Sequence, residues 1–152
     1  MSNHILSHSE TDDKGEIIAI HCSLEPFDLA FKINSHLDIK LIRTNYDISF
    51  KQTEENYMAY SNESDSEDAL VFLFSNSYIR SQVNKDSPLL FDQESTGHSL
   101  MPELSGADYL IKYVDEKNTL ESFIKSLSLL KEISSCYKVE NSKIKSKHNL
   151  II

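Results

Sequence analysis

The sequence predicts an α+β fold, a largely antiparallel sheet covered by two amphipathic helices in a single two-layer domain. Three observations predict it. Strand-like segments follow one another without intervening helices, which pairs them antiparallel. Two segments repeat apolar residues at the three-and-four spacing of a helix. The chain has 152 residues, 39% hydrophobic and 26% charged, with 3 Gly and 3 Pro, enough for one core without a disulfide or metal staple. The expected organisation is a flexible polar N-terminus over 1–15, one domain over 16–137, and a lysine-rich C-terminal tail over 138–152.

In chain order, "EIIAIHC" (16–22) carries Ile17, Ile18 and Ile20 and suits a buried strand. Ser23 offers an N-cap and Glu25 and Pro26 suit a first turn. The apolar stripe Phe27, Leu29, Ala30, Phe31, Ile33 and Leu37 then predicts a helix over about 24–36. "IKLIR" (39–43) and "DISF" (47–50) read as a hairpin, because Asn45 between them tolerates left-handed backbone angles. "NYMAYS" (56–61) and "ALVFLFSNSYI" (69–79) read as a second strand pair around the polar loop "NESDSED" (62–68). The unbroken apolar character of the later segment places it centrally. "DSPLLFDQESTG" (86–97) is turn-rich, and "DYLIKYV" (108–114) is a strand. Asn118 followed by Glu121 signals a helix start, and Leu120, Phe123, Ile124, Leu127, Leu130 and Ile133 extend that helix over about 119–136.

A formal charge of −9 argues against DNA and against anionic membranes, whose phosphates are bound by basic surfaces. Lys138, Lys143, Lys145 and Lys147 concentrate the positive charge near the end, where a contact to RNA or an acidic partner is conceivable. Cys22 and Cys136 lack disulfide-framework or zinc spacing and read as free thiols. With no signal peptide and no apolar run approaching about 18 residues, a cytoplasmic location is expected.

The stretch "LMPELSGADYLIKY" (100–113) concentrates the candidate chemistry. Pro102 fixes a backbone angle and removes a donor, so the chain bends there, and Gly106 permits its return. Glu103 and Asp108 then come within reach of facing each other. Two close carboxylates raise one pKa, as a general acid requires, and Tyr109 offers a donor. The alternative is a structural turn: Asp108 accepts backbone N–H groups, Glu103 is solvated or bonded to a neighbour, and Tyr109 is core with its hydroxyl at the edge. The latter weighs more.

Other constellations favour structural roles. His4 and His8 have a metal-compatible helical spacing but no third ligand. His21 and Cys22 are strand neighbours, whose side chains point to opposite faces and cannot share a proton. Asp65, Glu67 and Asp68 lack the glycine and the bidentate glutamate of a calcium loop. There is no glycine-rich phosphate loop, Gly-x-Ser-x-Gly or HExxH, so no cofactor and no metal is expected.

"IAIHCSLEPFDLAFKIN" (18–34), "LIRTNYDISF" (41–50) and "MPELSGADYLIKY" (101–113) together resemble, in order and spacing, the IPExxxVDY family of small uncharacterised bacterial proteins. The naming motif is matched at Pro102, Glu103, Asp108 and Tyr109, with Met101 for its isoleucine and Ala107 for its valine. The resemblance implies a bacterial cytoplasmic setting and carries no activity, substrate, cofactor or catalytic residue. The leading expectation is a non-catalytic protein-binding or accessory module, with itself or another protein as partner, using a sheet edge or a helix stripe. A small enzyme built on Glu103, Asp108 and Tyr109 is the first alternative, and RNA contact through the lysine tail the second.

Overall fold

The computed structural model describes residues 15–45, 47–50, 55–63, 69–77, 99–115 and 117–150. Its centre is β1 (Glu16–Cys22), in which Ile17, Ile18, Ala19 and Ile20 are all fully buried. An unbroken apolar run suits a strand covered on both faces, since successive side chains point to opposite sides. Ile18, Ile20 and Cys22 face one core, and Ile17 and Ala19 face another.

After β1 the chain forms α1 (Pro26–Leu37), β2 (Ile42–Arg43), β3 (Ile48–Phe50), β4 (Glu55–Tyr57), β5 (Ala59–Ser61) and β6 (Ala69–Ser75). A 3-10 turn at Pro102–Leu104 precedes β7 (Tyr109–Asp115), α2 (Leu120–Ser128) and β8 (Ile133–Val139). Six strands join in the order β2-β5-β6-β7-β1-β8, every neighbouring pair antiparallel, and β3 pairs with β4 in a separate ribbon. The expected α+β class and antiparallel sheet are therefore present, with β6 and β7 inside the sheet as their apolar runs require.

The two helices bury Leu29, Ala30, Ile33, Phe123 and Leu127 against Ile18, Ile20, Leu73 and Ile111 of the sheet. The opposite face is also covered. Phe74, Leu110 and Ala19 pack with Tyr57 of the β3–β4 ribbon, with Leu100 and Met101, and with Leu150 near the C-terminus. Lys32 of α1 reaches Glu132 after α2 at 3.3 Å, tying the two helical segments at their rim.

Several local expectations are corrected. α1 is capped at Glu25, not Ser23, with Pro26 in its first turn. "IKLIR" and "DISF" do not form a hairpin: β2 pairs with β5, and β3 with β4, because Tyr60 and Ser61 offer β2 a buried partner in the main sheet. "NYMAYS" is correspondingly two strands, parted at Met58. The second helix ends at Ser128, and Ile133 begins β8 instead of a further helical turn. The reason is that β1 needs a second ladder partner, and a buried strand with one unpaired edge would leave backbone groups unsatisfied. Asn118 does not cap α2; it takes a left-handed φ of 61°, and Thr119 precedes the helix while the Asp115 carboxylate accepts the Thr119 N–H at 2.6 Å. The lysine-rich segment begins inside β8, and its later part folds back as 3-10 turns (Asn141–Lys143 and Lys147–Leu150) that end with Leu150 buried.

Burial on both faces sets the scale for substitutions. Ile20→Ala is expected to lower unfolding free energy by about 2–5 kcal/mol, whereas Phe31→Ala, at a side chain 66% exposed, stays within about 0.5 kcal/mol. Guanidinium titration of the two variants checks this, and near-equal losses would contradict the two-faced core.

Candidate functional site

Each candidate residue of the 102–109 turn finds a specific backbone partner. Pro102 opens the 3-10 turn, with Ser105 N–H donating back to the Pro102 carbonyl. Gly106 does not use left-handed angles, and a Cβ there meets only the His21 ring at 3.9 Å, so its freedom is not what allows the return. The Glu103 carboxylate turns toward the C-terminal segment. It accepts the Lys145 N–H at 2.6 Å and also the N–H and hydroxyl of Ser146. Asp108 turns the other way, its carboxylate accepting the Cys22 N–H at 2.8 Å at the end of β1. The Tyr109 hydroxyl donates to the Leu24 carbonyl ahead of α1.

The two carboxylates therefore serve different neighbours and share no donor. Burial pushes the Glu103 carboxyl up, but the backbone N–H groups of Glu103 itself, Lys145 and Ser146 and the Ser146 hydroxyl outweigh it, and its pKa lies below the ordinary 4.5. That is the reverse of what a general acid needs. Burial pushes the Tyr109 phenol well above its ordinary value, with Cys22, Glu25 and Asp108 adding to the rise, so it stays a donor.

The organiser of the turn is a residue the sequence reading passed over. Asn76, at the end of β6, is fully buried. Its amide donates to the carbonyls of Leu104 at 2.8 Å and Ala107 at 2.9 Å, and its oxygen accepts the Met101 N–H at 3.0 Å. Its own N–H donates to the Asp108 carbonyl, and its carbonyl accepts the Leu100 N–H. The available signal was an asparagine directly after a continuously apolar strand, where a buried amide is costly without partners. Asn34 and Asn62 use their amides in the same way, against Leu41 and against Ala69 and Val71.

Elsewhere, His21 and Cys22 point to opposite faces as expected. The His21 Nε2 lies 3.2 Å from the Tyr137 hydroxyl, with the rings stacked, while Cys22 is buried and its thiol pKa is pushed up by that burial. Both cysteines are free. His4, His8, Asp65, Glu67 and Asp68 lie outside the described residues, and among those described no group of three or more His, Cys, Asp or Glu is placed to hold a metal. A cleft of about 510 Å³ lies between the loop after α1 and the start of α2, lined by Lys40, Val71, Tyr113, Lys117 and Phe123. It sits at the opposite end of β7 from the 102–109 turn. No described helix is long and apolar enough to cross a membrane.

One element stands out by what faces away from it. β8 is the outermost strand beside β1, and among the described residues no strand pairs with its other side. The ladder fixes which backbone groups point outward. Asn76 N–H donates to Asp108 O beside the Ser75–Tyr109 pair, so Tyr109 turns its own N–H and carbonyl to β1, and its partner Ile20 turns to β7. Alternation then directs Ala19 and Ile17 to β8, where their partners Tyr137 and Val139 bond inward. The N–H and carbonyl groups of Cys136 and Lys138 thus point out of the sheet. A bulge at the other end leaves Ser134 without a partner in the register, its hydroxyl donating to the His21 carbonyl at 2.9 Å.

Comparison of the chain with protein-family models, with curated proteins and with solved structures finds no match.

Two outcomes are expected from this geometry. Asn76→Ala leaves the Ala107 carbonyl and the Met101 N–H without their partner, and the Leu104 carbonyl with the Ala107 N–H alone, and should cost about 2–4 kcal/mol, read by thermal or chemical denaturation. Because the folded pKa of Glu103 is depressed, its contribution is full above the ordinary 4.5 and is lost as pH falls through the lower folded value. Stability measured from pH 6 down to about pH 3 should therefore fall less steeply in Glu103→Gln than in the parent; parallel curves would remove the assigned role.

Proposed function

We propose that the protein is a non-catalytic protein-binding module whose docking element is the outer edge of β8. The observation that carries this reading is the seven-residue edge strand with the backbone groups of Cys136 and Lys138 directed outward. Such groups are a template on which an extended segment of a partner can add a strand, main-chain hydrogen bonds giving affinity and alternate side chains giving selectivity. The engagement of Glu103, Asp108 and Tyr109 by backbone partners favours a structural role for the turn and weighs against the small-enzyme alternative. The RNA alternative rests on the exposed Lys143 and Lys145, whereas Lys138 lies 3.6 Å from Glu16. We place the module in the bacterial cytoplasm on the strength of its resemblance, through Pro102, Glu103, Asp108 and Tyr109, to the IPExxxVDY family.

Lys138→Pro separates the docking edge from the fold. It deletes an N–H that points away from β1, and proline is tolerated on the open side of an edge strand. The variant should melt within a few degrees of the parent yet lose the partner recovered with it from native extract, while Glu103→Gln keeps that partner. Retention of every partner by a well-folded Lys138→Pro protein would overturn the reading.

A further inference from the structure

We infer that the segment added to β8 is the β8 of a second copy of this chain, in an antiparallel two-fold pair centred on Tyr137. This rests on β8 being a docking edge, and it adds the partner and the register.

A two-fold axis between identical strands requires the antiparallel arrangement, with each copy offering the same surface. Hydrogen bonding restricts the registers, because the bonded positions on both strands must be ones whose backbone points outward. Those are Cys136 and Lys138, with Ser134 distorted by the bulge. Three symmetric registers bond a regular position to a regular position, whereas the one centred on Ser135 bonds Cys136 only to the bulged Ser134. One sets Lys138 directly against the second copy's Lys138, a like-charge pair that is destabilising in a ladder. Another sets Lys138 against the bulged Ser134, where regular bonding fails. The third pairs Cys136 of each copy with Lys138 of the other and uses both regular outward positions on both strands. It alone places Tyr137 against Tyr137.

That register suits the side chains. Tyr137 is 46% exposed, a large aromatic left open on β8, and it faces the sheet surface opposite the helices, beside His21. At the centre of the pair it occupies a position without direct hydrogen bonds, where cross-strand side chains approach most closely and aromatic pairs stabilise. Closure follows as well. Pairing consumes β8 in both molecules, and the other edge strand of the six-stranded sheet among the described residues, β2, is only two residues long, so this sheet stops at a dimer and does not grow into a filament. A ribbon of this length buries less than the roughly 1,600 Å² of a standard interface, which sets the expected affinity in the micromolar range.

The test is sedimentation velocity of the full chain from about 5 to about 500 µM, with three variants. The parent should shift from monomer to dimer across this range. Lys138→Pro should weaken dimerisation at least about tenfold with unchanged circular dichroism. In a Cys136→Ser background that retains Cys22, Tyr137→Cys should oxidise readily to a covalent dimer while Ser135→Cys does not, which reads the register. A parent that stays monomeric at the highest concentration, a dimer indifferent to Lys138→Pro, or preferential cross-linking at Ser135 would each overturn the inference. The docking reading is judged separately. A monomeric parent that still loses a captured partner on Lys138→Pro keeps β8 as a docking edge for a different protein, whereas loss of neither removes both.

Discussion

The fold turns on one buried amide. Residues 99–108 carry the chain back across the face of the sheet opposite the helices, and the Ser77–Ser99 bridge is the single described ladder contact of this segment. Its backbone at Leu100, Met101 and Ala107 is nevertheless buried, and buried backbone groups without partners cost more than most side-chain contacts return. Asn76 supplies those partners from its side chain and its own backbone together. Because the amide sits at the end of β6, next to β7, the turn is held in register with the strand that follows it.

From that anchor the turn reaches three further parts of the molecule. Asp108 closes the end of β1, Tyr109 holds the entry to α1, and Glu103 gathers the backbone of Lys145 and Ser146. The last contact brings the C-terminal segment under the sheet, where Leu150 completes the second core. A carboxylate that accepts three donors at once is held ionised, and its geometry specifies where the returning chain must lie. The chemistry that looked suited to proton transfer is thus used to fasten loops.

With both sheet faces covered, the edges are what remain available. They differ in kind. β2 is short and carries Arg43, which is paired with Asp47 at 2.7 Å and lies over the Tyr60 ring. β8 is long, with one charged side chain and a bulge at its start, features that limit promiscuous pairing while leaving a short regular stretch open. The contrast directs attention from the motif in the 102–109 turn to a strand whose sequence, "ISSCYKV", is unremarkable by pattern.

The apolar runs 16–22, 69–75 and 109–115 and the stripe of α1 determined the strands, the first helix and the α+β class by themselves, since continuous or periodic burial leaves few alternatives. The sequence also sufficed to place His21 and Cys22 on opposite faces, and to favour a backbone role for Asp108 and a core position for Tyr109. Tertiary structure alone decided the rest. Leu130 and Ile133 continue a helical spacing, yet β1 required a ladder partner, and that long-range demand converted the second half of the expected helix into β8. The same competition drew Ile42 and Arg43 away from a local hairpin to β5. Asn76 and the Glu103 contact to Ser146 were illegible for a related reason: each joins residues more than twenty positions apart, and no local period records which distant backbone group an amide or carboxylate will meet.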